Sequence, residues 1–128
     1  MLKAMIIDSN AISRGLLNTV LSEGGYEVVA QSHAAHMGLV LMQKYKPQLL
    51  CVAREQMEDS EHLVEQVRAL LPKTIIFLVS GAIDAATLQA ALGRGVQGFI
   101  VKPFKADAVL KTIRNTVIAT VKKHQGAV

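Results

Sequence analysis

A chain of 128 residues with 51% hydrophobic and 19% charged side chains, and a mean hydropathy of +0.33, has material for one packed domain and is too apolar to stay disordered. Its single cysteine, Cys51, excludes an intramolecular disulfide. No run nears the ~20 apolar residues of a membrane span, and Ala4 to Ile7 is too short for a signal-peptide core, so residues 1–128 are expected to form one soluble, cytoplasmic domain without membrane contact. The net charge of +4 is uneven: residues 102–128 carry +5, the first 101 residues carry −1, and acids gather from Glu55 through Glu58, Asp59 and Glu61 to Glu65.

Apolar runs of four to six residues alternate with stretches of helical period, the pattern of repeated βα units around a parallel sheet. The first strand is expected over Leu2 to Ile7. Asn10 is suited to cap a helix in which Ile12, Leu16 and Val20, with Leu17 and Leu21, fall at helical spacing, and Gly24-Gly25 ends it. Tyr26 to Ala30 reads as strand two. A helix over His33 to Lys44 follows, with Met37, Val40 and Leu41 expected inward. Pro47 stops further helix and opens strand three, Leu49 to Ala53, in which Cys51 is a small buried side chain.

After an acidic loop, Leu63, Val67, Leu70 and Leu71 mark a third helix that Pro72 terminates. Strand four covers Thr74 to Val79, a short helix capped by Asp84 runs to Gly93, and strand five is Gly98 to Val101. The last helix carries Ala106, Leu110, Ile113, Val117 and Val121 as one stripe. Right-handed crossovers then give a doubly wound α/β sheet.

Four positions carry the chemistry. Asp8 closes the first apolar run, Ala53 the third and Ser80 the fourth, and Lys102 precedes Pro103-Phe104 after the fifth. These residues and their spacing resemble the receiver domain of bacterial response regulators, across nearly the whole chain. The resemblance implies a flavodoxin-like (βα)5 three-layer sandwich with parallel sheet order 2-1-3-4-5, in which strands one and three meet at the switch point where such sheets bind ligands. It also implies that two acids after strand one and an acceptor aspartate after strand three hold Mg²⁺, while a hydroxyl and a lysine contact the phosphoryl group.

This chain keeps Asp8 but has Ser9 for the second acid and Ala53 for the acceptor; Ser80 and Lys102 match the hydroxyl and lysine, and Glu55 falls where the family offers a backbone carbonyl. A complete site holds a formal −2 that a divalent cation neutralises, whereas Asp8 and Lys102 sum to zero. The expectation is therefore no cofactor, weak or absent Mg²⁺ binding, and a pocket closed by an Asp8–Lys102 ion pair, worth ~4 kcal/mol at 4 Å and an effective dielectric near 20 before desolvation. Ser80 and Phe99 match the family's linked switch elements, and Pro103 is the candidate for a cis peptide. Phe99 is equally a core aromatic.

The spelling Gly93-Arg94-Gly95-Val96-Gln97-Gly98 fits a dinucleotide fingerprint but follows a helix and precedes a strand, the reverse of what phosphate binding needs. His33 and His36 lack further ligands for zinc, His62 and His124 lack catalytic partners, and no G-x-S-x-G elbow is present. The leading expectation is a non-enzymatic, atypical receiver in a two-component phosphorelay. It binds a histidine kinase, another regulator or an output protein through the fourth helix, strand five and last helix, with Lys105, Lys111 and Arg114 on the partner face. Homodimerisation through that face is a further expectation. Two readings compete: phosphorylation at Ser9, Glu55 or Asp59, and nucleic-acid binding by Lys105, Lys111, Arg114, Lys122 and Lys123, which lacks stacking aromatics.

Overall fold

The computed structural model describes residues 1–59 and 62–126; the side chains of Asp59 and His124, and residue Glu61, lie outside what is described. The elements in order are β1 (Lys3–Ile7), α1 (Ala11–Glu23), β2 (Glu27–Ser32), α2 (Ala35–Tyr45), β3 (Leu49–Ala53), α3 (Arg54–Asp59), α4 (Leu63–Leu70), β4 (Ile75–Ser80), α5 (Ala85–Arg94), β5 (Gly98–Val101) and α6 (Ala106–Gly126). All strands run parallel in the order β2-β1-β3-β4-β5. Among the described residues no helix is long and apolar enough to cross a membrane.

Local chemistry sets several boundaries as expected. The Asn10 side chain accepts from the amides of Ile12 and Ser13, both at 3.0 Å, and Asp84 accepts from Thr87 N at 2.7 Å, so both caps occupy donors that the first helical turn leaves free. The acidic stretch after β3 is not a loop throughout: residues 54–59 form the short helix α3, started by Glu55 in its first turn. Lys46, a non-glycine residue, caps α2 in the left-handed region with φ 48°, its amide donating to Met42 O at 2.8 Å. That conformation costs about 1 kcal/mol for a residue with a β-carbon.

Strands β3 and β4 are buried along their whole length because alternate residues feed two cores. Met5, Ile7, Leu50, Val52, Ile76 and Leu78 face α2, α4 and α5 on one side, with Met42, Leu63, Val64, Val67 and Ala91. Ala4, Ile6, Leu49, Cys51, Phe77 and Val79 face α1 and α6 on the other, with Leu17, Leu21, Val109 and Ile113. Burial pushes the Cys51 thiol up to about 12, so it stays protonated.

Helix faces depart from the spacing-based expectation. In α1 only Leu17 and Leu21 are buried, and Ile12 (76% exposed) and Leu16 look outward. At ~100° per residue they stand ~100° to 140° from Leu17, beyond what a helix lying on a sheet can cover. In α2 the inward line is Ala35, Gly38 and Met42, with Leu41 half-buried and Met37 and Val40 exposed. Gly38 fixes that face, since a β-carbon there would lie 2.5 Å from Ile7 Cδ1. Leu70 is likewise exposed at the end of α4. On α6, Val109 and Ile113 are buried, whereas Ala106 and Val121 are exposed because a 21-residue helix overreaches the four-residue strand it packs on.

Candidate functional site

Adjacent strands deliver the expected residues to one end of the sheet. Ile7 pairs with Val52, Ala53 with Val79 and Ser80 with Val101, so Asp8, Ala53, Ser80 and Lys102 leave neighbouring strands at their carboxyl ends. Ala53 is 1% exposed and presents only a methyl group. Asp8 is 4% exposed, and both its carboxylate oxygens are engaged: Oδ1 accepts from Asn10 N at 2.9 Å and Oδ2 lies 3.7 Å from Lys102 Nζ. The Lys102 side chain is 27% exposed, so the pair contributes less than a dry one would. The Lys102 amide donates to Ser80 O at 2.9 Å, tying the ends of β4 and β5, and the Lys102–Pro103 peptide is cis.

Ser80 is buried, and its hydroxyl turns into its own loop, donating to Ala82 O at 2.9 Å. The same carbonyl accepts from Arg54 Nη1 at 3.2 Å, and Arg54 Nε donates to Glu58 at 2.9 Å. Arg54 thus links the start of α3 to the β4–α5 loop. Asp84 in that loop sits below the usual carboxylate range, chiefly through its bond to the Thr87 amide and with a smaller pull from Arg54. Sequence reasoning missed Arg54. The available signal was its i,i+4 spacing to Glu58 beside position 53. Arg14 was also missed; its Nη1 donates to Asp8 O at 2.7 Å and braces β1 against α1.

Ser9 and Glu55 are exposed at the rim of the crevice. Among the described residues no three His, Cys, Asp or Glu side chains converge, and His33, His36 and His62 are exposed. Gly95, at φ 114°, is the left-handed C-cap of α5, which accounts for the glycine spelling there.

A family model for the response regulator receiver domain matches residues 4–114. The chain belongs to the response regulator receiver family. It is 31% identical over 118 residues to the chemotaxis protein CheY of Listeria monocytogenes, covering 88% of this chain and 96% of that one. The corresponding figures for the chemotaxis protein CheY of Bacillus subtilis are 26% over 116 residues, 90% and 97%. A response regulator from Thermotoga maritima superposes with a TM-score of 0.83 at 20% identity, covering 91% of this chain and 98% of that one, a likeness of fold.

In this receiver domain β5, the loop after it and the start of α6 form a concavity of about 350 Å³ lined by Phe99, Val101, Lys102, Pro103, Lys105 and Ala108, among others. Phe99 is half-buried there and also packs on the core, so one ring serves both surfaces. Of the three cations expected on the partner face, Lys105 lines the concavity and Lys111 and Arg114 are exposed on α6; the charge of Arg114 also opposes the effect of burial on the Tyr26 phenol.

Proposed function

We propose that this receiver domain transmits signals by protein contact in a two-component phosphorelay, without aspartyl phosphorylation at position 53, without Mg²⁺ and without enzymatic activity. One observation carries the reading. The carboxyl end of β3 offers the Ala53 methyl group, and the one acid beside it, Asp8, has both oxygens engaged by Asn10 and Lys102. A hard cation favours several carboxylate oxygens and phosphoryl transfer needs a nucleophile; with Ser9 and Ala53 in place of acids, Asp8 stands alone with a cation beside it, which supports the reading. The partner, a kinase, regulator or output protein, docks on the α5–β5–α6 face at the β5–α6 concavity around Phe99, Val101 and Lys105. A second copy of the chain using this face is the homodimer form of the same contact.

Incubation with acetyl phosphate and Mg²⁺ is expected to leave the intact mass unchanged. A stable phosphoryl adduct, mapped to Ser9 or Glu55 at the exposed rim, would overturn the reading. Calorimetry is expected to show no micromolar Mg²⁺ binding to the native chain and a gain on the double substitution Ser9→Asp/Ala53→Asp, which restores two carboxylates. Micromolar binding by the native chain, lost in Asp8→Ala, would sink the metal-free pocket.

A further inference from the structure

The opposite end of the sheet, at the amino ends of the strands, has its own architecture. A cleft of about 280 Å³ lies between the α2–β3 and α4–β4 turns, floored by Pro47, Leu71 and Pro72 and rimmed by Lys46 and Lys73. The floor is held rigidly: Thr74 Oγ1 donates to Pro47 O at 2.7 Å, Gln48 N to Lys3 O at 2.9 Å, and Ile75 N to Gln48 O at 2.9 Å. Pro72 is shared with a second groove of about 730 Å³ that runs on past Arg68 to Lys123 on α6. Among the described residues the ion pairs are Arg54–Glu58, Arg94–Glu65 and Lys102–Asp8, so Lys46, Arg68, Lys73 and Lys123 face no carboxylate. Among the described residues Arg68 donates to neutral oxygens, those of Pro72, Gly95 and Gln97.

Lys46 adds an independent observation. It occupies a left-handed cap where glycine or asparagine would sit without strain, so a cationic side chain is kept at the rim at the expense of stability. Unpaired cations around an apolar floor are complementary to a ligand that brings carboxylates and an aliphatic side chain together. A nucleic-acid backbone offers the anions but nothing apolar for the cleft, and stacking aromatics are missing from its lining.

We infer that this pole is a second interaction surface, distinct from the Phe99 concavity, for an acidic segment of a partner protein that inserts an apolar side chain between Lys46 and Lys73. Charge steers the segment and the floor holds it. The test is fluorescence polarisation with a labelled peptide of two leucines among glutamates, its Leu→Ser version, and single-stranded DNA of equal formal charge. The Glu-Leu peptide is expected to bind, to weaken about tenfold when serine replaces leucine, and to weaken with added salt. Lys73→Glu is expected to weaken it about tenfold. Lys46→Asn is expected to weaken binding while raising the melting temperature, a combination that loss of folding cannot produce. Absence of binding, equal binding of the serine peptide, tighter binding of DNA, self-association abolished by Lys73→Glu, or affinity unchanged in both variants would each overturn the assignment.

Discussion

At the carboxyl ends of the strands Asp8 faces Lys102 at 3.7 Å and Arg54 meets Glu58 at 2.9 Å, whereas at the amino ends Lys46, Lys73 and Lys123 have no acid beside them among the described residues. The crevice pairs its buried carboxylate with a lysine inside the fold, whereas the cations of the other end are left to solvent. The formal net charge of +4 therefore describes neither end. Long-range attraction for anions belongs to the amino-terminal pole, whereas in the crevice Asp8 and Lys102 offset each other.

The contrast breaks most sharply under alanine substitution. Lys102→Ala leaves a buried carboxylate with one amide partner and is expected to destabilise the domain by about 1–3 kcal/mol in urea unfolding, against less than about 0.5 kcal/mol for Lys73→Ala at the other pole. Equal losses would mean the two ends do not differ in this way. Next in size, Lys46→Asn is expected to stabilise by up to about 1 kcal/mol, because asparagine tolerates the left-handed cap. A loss on that substitution would show the Lys46 side chain to be structural.

Smaller still is the acid limb. Glu65 is held below its ordinary 4.5, first by its hydrogen bond from Arg94, and Asp84 below its ordinary 3.8, first by the Thr87 amide. Groups whose folded values are lowered contribute stability that is complete above the ordinary value and is lost as pH falls through the folded one. Glu65→Gln and Asp84→Asn are thus expected to flatten the decline of stability below pH 4.5 and 3.8 respectively, without changing it at neutral pH beyond the loss of the bond itself. Both groups are solvent-exposed to a degree that keeps the effect small. The smallest effect is local: Arg54→Ala is expected to speed amide exchange at Ala82 and in the first turn of α5 while global stability changes little.

Strand starts and helix caps were legible in the sequence because their causes are local. Pro47 ahead of Leu49 to Ala53, Asn10 ahead of α1 and Asp84 ahead of α5 act over a few residues. Asp8, Ala53, Ser80 and Lys102 were legible because each ends an apolar run, and a parallel sheet puts run ends on one rim. The inward faces of α1 and α2 were not, since Ile12, Leu16, Met37 and Val40 are apolar without being covered, and only the sheet beneath decides which arc a helix buries. Arg54 reaches a carbonyl 28 residues away, and no spacing rule reports that. The cationic pole was hidden for the same reason. The sequence puts the basic excess in the last helix, but Lys46, Arg68, Lys73 and Lys123 reach one end of the sheet only once the α2–β3 and α4–β4 turns and the end of α6 have been folded there.

Cys51 lies midway along the central strand, with α1 and α6 packed over it and a thiol pushed up to about 12. No fraying end or loop opening uncovers that sulfur; only separation of the layers does. Its rate of alkylation at mild alkaline pH is therefore a clock for complete opening of the domain, read in native buffer without denaturant. A partner bound at either pole would slow that clock by the factor its binding adds to the folded state, so one buried sulfur can report occupancy at two distant surfaces without touching either.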